Sequence, residues 1–77
     1  MTLFIKQIVK EFEQKRKLGK LPVTIKKNIY NDLTLANAIV NYFNSLEGYT
    51  AYMTKKDLLQ KQRTTYQYTV IITYKSN

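Results

Sequence analysis

Cysteine, histidine and tryptophan are absent from this 77-residue sequence, proline occurs once, glycine twice, and only five residues are acidic. Without cysteine there is neither a disulfide staple nor a thiolate metal site, and without histidine the usual zinc ligand sets are excluded as well. No metal or cofactor is expected, and a cysteine-free chain fits a reducing cytoplasm. The glycines, Gly19 and Gly48, stand far apart and leave no glycine-rich phosphate loop. Acid-base chemistry would fall to Glu11, Glu13, Asp32, Glu47, Asp57, a lysine or a tyrosine. No two of these carboxylates stand at a spacing that demands a common site, and Glu11 and Glu13, two apart on a helix, point in different directions. The expectation is a binding protein and not an enzyme.

Long apolar runs are missing too. The first residues reach Lys6 and Lys10 too early for the apolar region of a signal peptide, and nothing approaches the ~20 apolar residues of a membrane span. The expected location is the cytoplasm. The frequent lysine, asparagine and tyrosine fit coding in an A/T-rich genome, such as that of a phage or mobile element.

What is present suffices for a folded core. Hydrophobic residues make up 44% and aromatics 13%, ordinary globular usage, so the charge does not imply disorder. Residues 1–77 form one expected domain, near the lower size limit for a lone core, and a core this small with no staple is compatible with homodimerisation.

Hydrophobic spacing orders the elements. Phe4, Ile5, Ile8, Val9 and Phe12 share a helical face opposite Lys6, Lys10, Glu13 and Lys17, which predicts a helix over 2–18 with Thr2 as N-cap and Gly19 past its end. Pro22 forbids its continuation. Val23, Ile25, Lys27 and Ile29 alternate with Thr24, Lys26, Asn28 and Tyr30, which predicts a strand over 23–29. Asn31-Asp32 is a turn and cap signal ahead of Leu35, Ala36, Ile39, Val40, Phe43 and Leu46, a second helix over 32–46. A short strand over 49–54, a polar connection over 55–63 with a helical turn around Leu58 and Leu59, and a strand over 64–75 complete the chain. In that last strand Tyr66, Tyr68, Val70, Ile72 and Tyr74 share one face.

The order α-β-α-β-β implies an α+β fold, a two-layer sandwich in which a three-stranded antiparallel or mixed sheet carries both helices on one face. If residues 49–62 were instead a third helix, the order would approach a winged helix-turn-helix.

Thirteen basic against five acidic side chains give a net charge of +8. Residues 6–27 carry a local +6, residues 28–46 only Asp32, residues 47–63 a further +2, and Lys75 the last positive charge. The charge thus gathers at Lys15, Arg16, Lys17 and Lys20, at Lys26 and Lys27, and at Lys55, Lys56, Lys61 and Arg63. Basic patches interleaved with aromatic rings are the footprint of a nucleic-acid surface, and Tyr52, on the strand face opposite Tyr49 and Met53, is the expected stacking ring. Only Arg16 and Arg63 are arginines, which suits diffuse phosphate contact and low sequence specificity. The competing readings are a solvated lysine surface with tyrosines that simply pack, and a basic first helix lying on an anionic membrane.

The second helix differs. Residues 33–46 hold no charged side chain, and Asn37, Asn41, Tyr42 and Asn44 stand at its non-core positions. Interface centres are poor in charge and rich in aromatics. These residues therefore form the expected contact of the alternative function, an inhibitor or adaptor that binds an acidic host protein.

Overall fold

A computed structural model describes residues 3–19 and 21–75 of the chain. Its elements run α1 (Leu3–Lys17), β1 (Val23–Tyr30), α2 (Leu33–Asn44), β2 (Tyr49–Gln60) and β3 (Arg63–Tyr74). The class is α+β in the expected order. The three strands form one sheet in the order β1-β3-β2, antiparallel throughout, with the C-terminal strand in the centre.

Residue chemistry explains each boundary. α1 ends where Lys15, Arg16 and Lys17 meet the negative end of the helix dipole, and Gly19, at φ +74, donates its N–H to the Arg16 carbonyl at 3.0 Å. The expected cap Thr2 lies outside the described residues. At α2 the Asp32 carboxylate accepts the Leu35 N–H at 2.9 Å, a side-chain N-cap. The helix closes on Ser45, whose hydroxyl donates to the Tyr42 carbonyl at 2.6 Å. Gly48, at φ +88, then turns the chain into β2, and a Cβ there would meet the Tyr74 ring at 2.9 Å.

The core lies between the helices and one sheet face. Register places Val23, Ile25, Lys27 and Ile29 of β1, Tyr68, Val70, Ile72 and Tyr74 of β3, and Tyr49, Ala51 and Met53 of β2 on that face. The buried members join Ile5, Ile8 and Phe12 of α1 and Ala36, Ile39 and Phe43 of α2 in a single cluster. Its middle is aromatic: the Phe12 ring lies 5.8 Å from Phe43 and 5.2 Å from Tyr49, which in turn lies 4.8 Å from Tyr74. Tyr49, Tyr68 and Tyr74 pack in or against this core, whereas Tyr66, of the same parity, stays exposed.

Two expectations need correction. β2 does not stop at Thr54: it runs to Gln60 and pairs with β3 through Gln60↔Arg63, so Leu58 and Leu59 are strand residues and the connection is the two-residue turn Lys61-Gln62. Lys61 takes φ 55 in that turn, a conformation usually left to Gly or Asn. Because residues 49–60 are strand, the winged helix-turn-helix alternative falls.

The longer hairpin outruns its neighbour. β1 ends its pairing at Tyr30↔Gln67, so residues 57–66 continue as a two-stranded ribbon, and the molecule is elongated at 46 × 22 × 19 Å. Two asparagines replace missing backbone partners. Asn31, at φ 55, donates its N–H to the Tyr66 carbonyl at 2.8 Å and accepts the Tyr66 N–H on its side chain at 2.9 Å. The Asn44 amide spans Ala51 on the outer edge of β2, donating to its carbonyl at 2.9 Å and accepting its N–H at 2.8 Å. No described helix is long and apolar enough to cross a membrane.

Candidate nucleic-acid interface

Side chains alternate across a strand, so the face opposite the core is fixed once the register is known. It presents Thr24, Lys26, Asn28 and Tyr30 from β1. The central β3 gives Arg63, Thr65, Gln67, Thr69, Ile71 and Thr73. From β2 come Thr50, Tyr52, Thr54, Lys56 and Leu58. These residues are exposed or half-buried except Ile71, which is buried at the centre of the face. Among the described residues the face holds Lys26, Lys56 and Arg63 and not one carboxylate.

The face is organised in rows across β3. One row reads Lys26, Ile71, Tyr52; another reads Tyr30, Gln67, Lys56. Each row therefore flanks a central residue with one lysine and one tyrosine, and the order reverses between the rows. With strands ~4.8 Å apart and ~3.3 Å per residue, the rows are ~13 Å apart and ~10 Å wide. The two rings lie on one diagonal and the two ammonium groups on the other. Tyr30 is 53% and Tyr52 56% exposed, so both rings offer free surface.

Between the rows runs Asn28, Thr69, Thr54. The Thr69 hydroxyl donates to the Asn28 amide oxygen at 2.8 Å and accepts the Gln67 amide at 3.3 Å. At the far end Thr24 and Thr73 share a hydrogen bond of 3.1 Å. These bonds fix polar side chains that would otherwise be mobile on an open sheet, and they leave the rings and lysines free to contact a ligand.

The expected basic residues divide into four groups. Lys26, Lys56 and Arg63 stand on the open face with Tyr52, and Lys61 sits at the tip of the ribbon. Lys27 points to the core side, where its ammonium donates to Glu11 at 2.8 Å and ties β1 to α1, so its charge is already neutralised. Lys55 also takes the core-side parity, 4.7 Å from the centre of the Tyr66 ring and 3.8 Å from Asp57. Lys15, Arg16 and Lys17 are exposed at the end of α1, with the Arg16 guanidinium 4.2 Å over the Tyr74 ring. That end of the molecule adjoins Val23↔Tyr74, ~36 Å along β3 from Arg63, so the α1 cluster and the hairpin do not form one patch. Lys20 lies outside the described residues.

The expected protein contact divides as well. Asn37 and Asn41 are exposed on α2. Tyr42 is half-buried, its ring edge-on to Phe43 at 5.2 Å, and Asn44 is engaged by the β2 edge. Sequence reasoning missed Tyr30 and the threonine rows. The signal was present in the alternation of β1, where Tyr30 shares parity with Lys26 and not with Ile25.

Two surface grooves flank the end of α1. One, of about 460 Å³, is lined by Glu13, Arg16, Lys17, Leu21 and Tyr74. The other, of about 300 Å³, is lined by Lys15, Leu18, Pro22, Val23 and Thr24. Neither touches the tyrosine-lysine rows.

Comparison with family models, with curated proteins and with solved structures finds no match for the chain.

Proposed function

We propose that this chain is a nucleic-acid-binding protein of low sequence specificity, acting in a reducing cytoplasm, and that the open sheet face is its contact surface. One observation carries the reading: Lys26, Lys56 and Arg63 share a face with two exposed tyrosines and, among the described residues, no carboxylate. Phosphates gain from such a surface by releasing condensed counterions, and the missing carboxylates mean that no fixed charge on the face opposes them. Lysine at two of the three positions favours backbone contact over bidentate reading of a base edge. Lys61 at the ribbon tip extends the positive surface beyond the sheet.

The test is the salt dependence of binding. Wild-type protein should lose affinity steeply between about 50 and 200 mM salt. Changing Lys26, Lys56 and Arg63 together to Gln should lower the log-log slope by about 2 to 3, whereas the same change at Lys15, Arg16 and Lys17 should leave most of it. An unchanged slope in the first triple variant rejects the open face.

A second reading has one observation of its own, the uncharged exposed positions Thr34, Asn37, Ala38 and Asn41 on α2. In that reading α2 meets an acidic host protein and the +8 steers the encounter. Asn37→Lys with Asn41→Lys should then abolish partner binding without altering the fold.

A further inference from the structure

The open face also indicates which form of nucleic acid it suits. Resting on the proposed function, we infer that the ligand is an unpaired polynucleotide strand, laid across the sheet with bases stacked on Tyr30 and Tyr52. Three observations lead there.

Width is the first. A duplex major groove, ~12 Å across, admits a helix or a two-stranded ribbon. The tyrosine-lysine rows belong to a three-stranded sheet whose backbones alone span ~10 Å, and the side chains of β1 and β2 add to that on both sides. The part of the sheet that carries both rings is therefore too broad for a groove, and paired bases would keep their faces out of reach of the tyrosines.

The chemistry of the rings is the second. Of the six strand tyrosines, Tyr49, Tyr68 and Tyr74 pack into or against the core and Tyr66, on the same side of the sheet, has the Lys55 ammonium 4.7 Å from its ring, while Tyr30 and Tyr52 leave more than half their surface to solvent. An exposed ring on a rigid strand loses little freedom when a base covers it, and stacking tolerates any base.

Placement is the third. The rings lie ~16 Å apart on one diagonal, Lys26 and Lys56 on the other, and each ring has a lysine across its own row. A strand that follows the ring diagonal passes between the two lysines, with the buried Ile71 and the hydrogen-bonded Asn28–Thr69 pair beneath it. Bases then meet the rings while phosphates reach the ammonium groups on either side. A duplex laid on the same face would engage the lysines and leave the rings idle.

The experiment measures anisotropy of labelled twelve-nucleotide oligo-rU, oligo-dU and a mixed-sequence duplex of equal length at one salt concentration. It compares the wild type with Tyr30→Ala, Tyr52→Ala and the double variant. Both tyrosines are exposed, and circular dichroism verifies that each variant keeps its fold. The inference predicts tighter binding of an unpaired strand than of the duplex, a loss of about 5- to 150-fold for each tyrosine, and no change in duplex affinity. It also predicts that strands carrying 5-iodouracil photocrosslink to Tyr30 or Tyr52. Duplex binding equal to or tighter than strand binding, with tyrosine variants indifferent, overturns the inference while leaving the proposed function standing. Failure to bind any of the three ligands overturns both.

Discussion

The two faces of the sheet are written in the same strands, one residue out of phase, and they have opposite compositions. The inner face sets Val23, Ile25, Ile29, Val70 and Ile72 against the helices, whereas the outer face sets threonines, lysines and two tyrosines against solvent. Aliphatic residues on the inner face gain from leaving water, and branched threonines on the outer face keep strand propensity without needing cover. Core packing thereby falls to one set of alternate residues, and the proposed ligand contact to the other. A face freed from packing can hold charge of one sign.

That division can be broken from the inner side with the largest effect. Phe43 is fully buried and contacts Phe12, Tyr49 and Tyr42, so Phe43→Ala should cost about 3–5 kcal/mol, a large part of the stability of a domain this size. Urea denaturation measures it, and a cost under 1 kcal/mol would remove Phe43 from the centre of the core. Asn44→Ala, which strips the Ala51 edge of both hydrogen bonds, should cost about 1–3 kcal/mol and raise hydrogen exchange at the Ala51 amide. A double-mutant cycle on Glu11 and Lys27 should give a coupling of about 0.2–1 kcal/mol that shrinks with salt, as befits a half-exposed pair. At the smallest end, Tyr52→Ala should change stability by no more than about 0.5 kcal/mol. If Tyr52→Ala instead cost as much as Phe43→Ala, the outer face would be structural and the division would fail.

How much of this could be read from the sequence follows from how locally each feature is determined. α1, β1 and α2 appeared within a residue or two because amphipathic spacing, Gly19, Pro22 and Asp32 are local signals. The far half of β2 did not. Lys55, Lys56 and Asp57 read as a loop because all three are charged and exposed, so no apolar alternation marks them as strand, and from Asp57 on the strands form a ribbon with no buried face to impose one. Its turn, with a positive-φ lysine in place of Gly or Asn, lacked the usual signature as well. The engaged roles of Asn31 and Asn44 were equally hidden, since each depends on a strand edge that only tertiary structure supplies.

For the site the lesson is parity. Charge by segment grouped Lys26 with Lys27 and Lys55 with Lys56, but neighbours on a strand face opposite ways, so only Lys26 and Lys56 share the outer face. The alternation that placed Lys27 beside Ile25 and Ile29 already contained that separation. The pairing of Lys26 with Tyr52, and of Lys56 with Tyr30, required the strand order β1-β3-β2, which no local pattern specifies.

The most direct test of the outer face as the contact surface is a titration of ¹⁵N-labelled protein with an unlabelled oligonucleotide, followed by backbone amide shifts. The account predicts that the shifts concentrate at Lys26, Tyr30, Tyr52, Lys56 and Ile71 and spare Asn37 and Asn41 of α2. Shifts confined to α2, or to Lys15, Arg16 and Lys17, would contradict it.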